Sequence, residues 1–247
     1  MKLKIRLILL ASLALAVGCT KPDDPNPEPR TPDEVPIDAL FSVDDGKQVK
    51  FAHGNLIYNA GSGLTFASEQ YHYGDLFGWG TGSQPDLTSV NLNAYQTFDE
   101  WGDHIGNSWR TMTCDEWEYL ISKRPDASSK IGHATVCNIH GIILLPDNWQ
   151  GTGFTPGTAN GWATNIYSAT SWAAMEAAGA VFLPAAGHRY ETETENTGNE
   201  GDYWSSTPTK LTYAYSLNFG ENFHGMSDCW LKCSGLAVRL VKDNADS

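Results

Sequence analysis

YWSSTPTKLTYAYSLNFGENFHGMSDCWLKCSGLAVRLV, residues 203–241, holds three strand-like runs and no helical period. The runs are Tyr203–Ser205, Tyr213–Phe219 and Leu236–Val241. Within the middle run Tyr213, Tyr215, Leu217 and Phe219 fall on alternate positions, the two-residue period of a strand. Alternation on that pattern places Leu217 and Phe219 in the core and leaves the two tyrosines open between core and surface. From Phe223 to Ser234 no period is evident, and that segment reads as exposed.

Working outward, the same texture continues. Phe41-Ser42-Val43 and Gln48-Val49-Lys50-Phe51 flank Asp45-Gly46, a hairpin signal. Further short runs are Leu56–Tyr58, Thr135–Cys137, Ile142–Leu145 and Ala180–Leu183. Two helices are expected. Thr113 with Glu116 forms a capping-box pattern, followed by Trp117, Leu120 and Ile121 on one face. Ser171 is a cap for a second helix over Trp172–Ala178, closed by Gly179. Two helices among many short strands, without strand–helix alternation, predict an α+β fold with mostly antiparallel sheet. One domain is expected over residues 37–243.

The chain has 247 residues, 41% of them hydrophobic, with 9 Trp, 10 Tyr and 9 Phe, so a core of useful size is available. Its net charge of -13 repels a phosphate backbone, which argues against a nucleic-acid partner. Lys2, Lys4 and Arg6 precede an apolar run, Leu7 to Val17, too short to span a bilayer comfortably. It ends in Ala16-Val17-Gly18-Cys19. This resembles a bacterial lipobox, which makes residues 1–18 a lipoprotein signal peptide and Cys19 the lipidation site. Residues 19–36 follow as a proline- and acid-rich tether. Lys21-Pro22-Asp23-Asp24 is similar to acidic export tags of surface lipoproteins in the Bacteroides group. The expected location is therefore the outer membrane, lipid-anchored and cell-surface exposed, with no other membrane contact.

Several stretches occur together in a familiar order. They include Asp75-Leu76-Phe77-Gly78-Trp79-Gly80, Trp109-Arg110-Thr111, Leu144-Leu145-Pro146-Asp147-Asn148-Trp149, Gly179–Gly187, Tyr203-Trp204-Ser205-Ser206-Thr207 and Val238-Arg239-Leu240-Val241. Across residues 41–241 the chain resembles paralogous surface lipoproteins of gut Bacteroidetes with a C-type-lectin-like fold, related to that of the formylglycine-generating enzyme. Many of these resemble the variable proteins of diversity-generating retroelements. In those, a stretch before the final Val-Arg-Leu-Val strand is diversified at template adenines and contacts ligand. The resemblance places that stretch at about Thr209 to Ser234. Adenine mutagenesis of asparagine codons does not yield Glu221, Met226, Trp230 or Lys232, which are then fixed positions or come from other codons.

The segment's composition points the same way. Aromatic residues mixed with small polar ones make a paratope-like surface. The expected ligand-binding residues are Tyr213, Tyr215, Ser216, Asn218, Asn222, Phe223, His224, Ser227, Asp228 and Trp230, as one exposed patch for an unknown surface ligand, protein or glycan.

No catalytic residue, metal ligand or cofactor is expected. Cys229 and Cys233, four apart, would share a helix face, and the alternative they carry is a copper- or thiol-dependent oxidase of formylglycine-generating-enzyme type. A third reading is an adhesin or fimbria-associated structural subunit. Cys114 and Cys137 form another pair that an oxidising compartment could join. Gln84-Pro85-Asp86 reads as a turn, and Glu191, Glu193, Glu195, Glu200 and Asp202 as a solvated acidic loop. The histidines at 53, 72, 104, 133, 140 and 188 show no metal-ligand spacing. Most of the tryptophans at 79, 109, 117, 149, 172 and 204 read as core.

Overall fold

The computed structural model describes residues 36–82, 91, 95–106, 108–151, 153–154 and 161–245. Cys19, the tether and Gln84-Pro85-Asp86 lie outside the described residues. The architecture is α+β, with strands in several small sheets and a few short helices.

Strands β1 (Phe41–Asp44) and β2 (Lys47–Phe51) form the hairpin expected at Asp45-Gly46, where Gly46 takes φ +73°. The chain then forms β3 (Leu56–Asn59) and β4 (Gly63–Phe66), an antiparallel pair. Helix α1 (Trp101–Ile105) has Glu100 as its N-cap. Helix α2 (Cys114–Glu118) carries the expected capping box: Thr113 Oγ1 accepts from Glu116 N, and Glu116 accepts from Thr113 N. One π-helical turn over Tyr119–Lys123 continues it.

A four-stranded sheet is built from β5 (Ile131–Val136), β6 (Ile139–Leu144), β7 (Ile166–Tyr167) and β8 (Val181–Pro184), in the order β7-β5-β6-β8. Cys137 and Asn138 make its β5–β6 turn, both at positive φ, as a two-residue hairpin requires. Cys137 therefore sits past the strand rather than in it. Helix α3 (Ala169–Ala177) starts three residues before the expected point. Its cap is Ser168, whose Oγ accepts from Ser171 N, so Ser171 lies inside the first turn. Gly179 ends it at φ +94°; a β-carbon there would stand 2.5 Å from Ala39 Cβ.

The C-terminal region comprises β9 (His188–Tyr190), β10 (Glu193–Glu195), β11 (Gly201–Pro208), β12 (Tyr213–Phe219), β13 (His224–Leu231) and β14 (Val241–Asp243). Strands β11, β12 and β13 form one antiparallel sheet with β12 in the middle. The segment Phe223–Ser234, in which the sequence shows no period, is thus mostly strand. Its period is hidden because β13 shifts register opposite the Ala214–Ser216 step of β12, and Gly225 contributes no side chain. Residues 236–240 join the rest through single bridges, Phe77 to Leu236 and Tyr203 to Ala237.

Three apolar clusters form the core. Tyr203, Leu217 and Phe219 belong to one, with Phe41, Phe51 and Trp117. Trp172 and Phe182 sit in a second. Trp79, Trp101, Trp109, Trp204 and Ala214 sit in the third. The β11–β12 sheet is therefore covered on both faces. Its alternate residues bury into different clusters, which is why the Trp204 and Tyr203 neighbours are both inaccessible.

Candidate functional site

The ten residues expected to form a patch all lie on or beside β12 and β13, but they do not share one exposed surface. Ser216 is fully buried, paired between Trp204 and Ser227, and its hydroxyl has no hydrogen-bond partner among the described residues. That corrects its assignment to an open patch: both faces of the β11–β12 sheet are covered, and Ser216 faces inward beside Trp204. Asn218 and Trp230 are half-buried, and both serve the interior. Asn218 Nδ2 donates to Asp202 Oδ1 at 2.7 Å, and Trp230 Nε1 donates to the same oxygen at 3.0 Å. The Trp230 ring lies 4.2 Å from the His188 ring and packs on the tryptophan-rich cluster. Its expected place in an exposed patch is thereby corrected to a half-buried, structural one.

The remaining residues divide between two ends of the hairpin. At the tip, Asn222 is exposed and Phe223 is 48% exposed over Gly220. At the other end Tyr213 and Tyr215 are half-buried, next to Leu211, which is 71% exposed. Ser227 is half-buried on β13, and the Asp228 side chain lies outside the description. Six residue steps separate Tyr213 from Phe219, roughly 20 Å at strand rise. The open tyrosine question resolves at an intermediate position: neither tyrosine is core, and neither is fully free.

His224 is half-buried at the tip because it meets His133 of β5, with Nδ1 and Nε2 3.2 Å apart. Burial lowers both imidazoles from the ordinary histidine value, and the neighbouring ring lowers His133 further. Only one proton fits between two facing nitrogens, so both rings stay neutral in the fold near neutral pH. The unfolded chain binds more protons below about pH 6.5. Stability is therefore fully present above that value and falls as pH drops toward the folded-state values. Denaturant titrations at pH 7.5 and 5.5 should show this loss, and His224→Gln should reduce the difference. A loss of the same size in the variant would assign it to other groups.

The cysteines do not pair as their sequence neighbours suggest. Cys137 is disulfide-bonded, whereas Cys114 carries a free thiol, so no Cys114–Cys137 bond forms. Burial, with Asp115 and Glu118 alongside, pushes the Cys114 thiol up to about 11, which keeps it protonated and unreactive. The helix that would bring Cys229 and Cys233 together is absent: β13 runs through Leu231, and Cys233 follows it buried.

The histidine overlooked by spacing arguments is His188. Its Nδ1 lies 3.1 Å from Asp202 Oδ2, and its Nε2 lies 3.8 Å from Glu195 Oε2. Beside it a cleft of about 370 Å³ is lined by Tyr73, Asp75, Leu76, Arg189 and Thr194 among others. Burial raises the Asp75 carboxyl above its ordinary range, opposed by the hydrogen bond from Tyr58 N. Arg189 directs Nη1 to Glu191 O and Nη2 to Cys233 O, which fixes the cleft floor to the segment after β13.

A family model described as a domain of unknown function (DUF8237) matches residues 158–241, the part of the chain that includes β9 to β13. No curated protein and no solved structure matches the chain.

Proposed function

We propose that this chain is a cell-surface lipoprotein of the outer membrane whose C-type-lectin-like domain binds a ligand through the β12–β13 hairpin, in the manner of a retroelement variable protein. The observation that carries the reading is a division of labour within one hairpin. Tyr213, Tyr215, Asn222, Phe223 and Ser227 keep exposed area, while Ala214, Leu217, Phe219, Tyr203 and Trp204 around them are buried. A segment tolerates many side chains only where they do not fill the core. Tyrosine and phenylalanine offer large contact area at low entropy cost, and asparagine and serine offer adaptable hydrogen bonds.

The length of the stripe bears on the ligand class. Contacts spread over roughly 20 Å exceed one sugar ring and suit a protein footprint of about 800 Å² per partner, or an extended glycan. The membrane enters through the lipid on Cys19 alone; among the described residues no helix is long and apolar enough to cross a bilayer.

The test is genomic first. A reverse-transcriptase gene beside this one is expected, with a near-copy of the codons for residues 209–234 that differs only at adenines. Absence of both from the neighbourhood would overturn the diversification. For a ligand so identified, Tyr213→Ala, Tyr215→Ala and Phe223→Ala should between them remove roughly 2 kcal/mol or more of binding, about 30-fold. Their melting temperatures should stay at the wild-type value. Trp230→Ala should instead lower stability, because it strips a donor from buried Asp202.

A further inference from the structure

We propose that His188, Glu200 and Asp202 form a binding site for a divalent transition-metal ion of the zinc class. Each offers one ligand atom, and the three atoms lie within 4.8 Å of one another. They come from two elements, β9 and the start of β11 with the residue before it, so the cluster is a product of folding and not of one acidic loop.

Three features separate it from a solvated group of acids. The first is burial: Asp202 is 0% exposed and His188 is buried, with Glu200 half-buried at the mouth. The second is that Asp202 is already oriented. Oδ1 has both lone pairs occupied by Asn218 and Trp230, which turns Oδ2 toward His188. The third is the ring itself. His188 is held by Trp230 on one side, and its two nitrogens face two different carboxylates, Asp202 at 3.1 Å and Glu195 at 3.8 Å.

That last arrangement is what a metal-ligating histidine needs. With a metal on Nδ1, the proton moves to Nε2 and points at Glu195, which then fixes tautomer and ring orientation. Metal–nitrogen and metal–oxygen bonds of about 2.0–2.2 Å in a tetrahedron put neighbouring ligand atoms about 3.4 Å apart. The His188–Asp202 separation is close to that already, and the Glu200 oxygen lies within 4.8 Å of both. Glu200 Oε2 is held by Asn196, leaving Oε1 for the ion. One imidazole and two carboxylates favour zinc-class ions over calcium, which prefers oxygen alone. The ion would replace a proton between Nδ1 and Oδ2, offset the charge of the converging carboxylates, and tie the β9–β10 segment to the β11–β13 sheet. This site stands independently of the ligand reading above.

The experiment is calorimetric titration of the EDTA-stripped protein with ZnCl₂, repeated with Co²⁺ followed by visible absorption. One equivalent is expected to bind with release of protons, seen as a heat that depends on the buffer. His188→Ala should abolish binding. Glu200→Gln, at a half-exposed position that does not endanger folding, should weaken it by about 10- to 100-fold. Glu193→Gln, an exposed acid on β10, should leave it unchanged. Failure of the wild type to bind at about 100 µM, on the scale of ordinary zinc sites, would overturn the proposal. So would equal weakening by Glu193→Gln and Glu200→Gln, which would reveal diffuse attraction to an acidic surface.

Discussion

Arg239→Ala is expected to lower the unfolding free energy by about 4 kcal/mol, the largest effect of any single substitution outside the apolar core. Arg239 is 1% exposed, and its guanidinium reaches five oxygens from three separate parts of the chain. Nε donates to Asn55 Oδ1 at 2.8 Å, Nη1 to Ala52 O at 3.1 Å and His53 O at 3.3 Å, and Nη2 to Phe182 O at 2.9 Å and Gln70 O at 3.5 Å. Asn55 in turn donates to Tyr73 O and to the Tyr203 hydroxyl, which donates to Pro184 O. One side chain therefore joins the β2–β3 loop, the Gln70 segment, β8 and β11. Burial lowers its pKa to about 10, so it remains charged at neutral pH. Truncation leaves carbonyls in a dry interior with no donor, and each such group costs about 1–3 kcal/mol. Guanidinium unfolding should show a lower midpoint at unchanged slope, and the melting temperature should fall by roughly 10 °C. Arg239→Lys keeps the charge but not the planar fork, and should recover less than half of the loss. A change below about 1 kcal/mol for Arg239→Ala would mean the network relaxes around the gap.

Arg239 also shows where sequence reading stops. It stood within Val238-Arg239-Leu240-Val241, a stretch whose order was legible, yet nothing local announces that an arginine between apolar residues will be a hub. Features with a local cause were readable. Asp45-Gly46 specified the β1–β2 turn, the Thr113–Glu116 box specified the start of α2, and alternation specified β12 to the residue. The misreadings have local causes too. Two serines three apart both suit a helix start, and only the Ser168 hydroxyl reaching Ser171 N decides between them. Strand β13 lacked a period because its ladder shifts register, and β9–β10 lacked an apolar signal because Glu193–Glu195 is exposed throughout.

The site was less legible than the fold because burial is not a local property. Asn218 and Trp230 have paratope composition, and no reading of the segment alone places an acid beneath them. Asp202 comes from the neighbouring strand, paired directly with Asn218. His188 comes from a third element and had no partner at ligand spacing in the sequence. Composition thus singled out residues 213–230, while the division of their side chains between outside and inside needed the sheet.

The second large effect is expected at Cys19, outside the described residues: Cys19→Ala should transfer the protein from the membrane fraction to the soluble fraction almost completely. The argument is by elimination of other attractions. Residues 20–36 are rich in proline and acid, and the whole chain carries a net charge of -13, so an anionic bilayer surface repels it. Among the described residues no helix can cross a bilayer. Attachment then rests on the acyl chains of a lipobox cysteine. Each buried methylene contributes about 0.8 kcal/mol, and one chain alone holds a protein only marginally, so stable anchoring needs the several chains that a single modified cysteine carries. Removing that one thiol removes all of them together, which makes the response all-or-none rather than graded. Folding should not follow, because the described core begins at Ile37. Detergent phase partition with fatty-acid labelling reads the first expectation, and the melting temperature of the released protein reads the second. An alanine variant that stays labelled and membrane-bound would show that Ala16-Val17-Gly18-Cys19 is no lipobox, and the surface reading would lose its anchor with it.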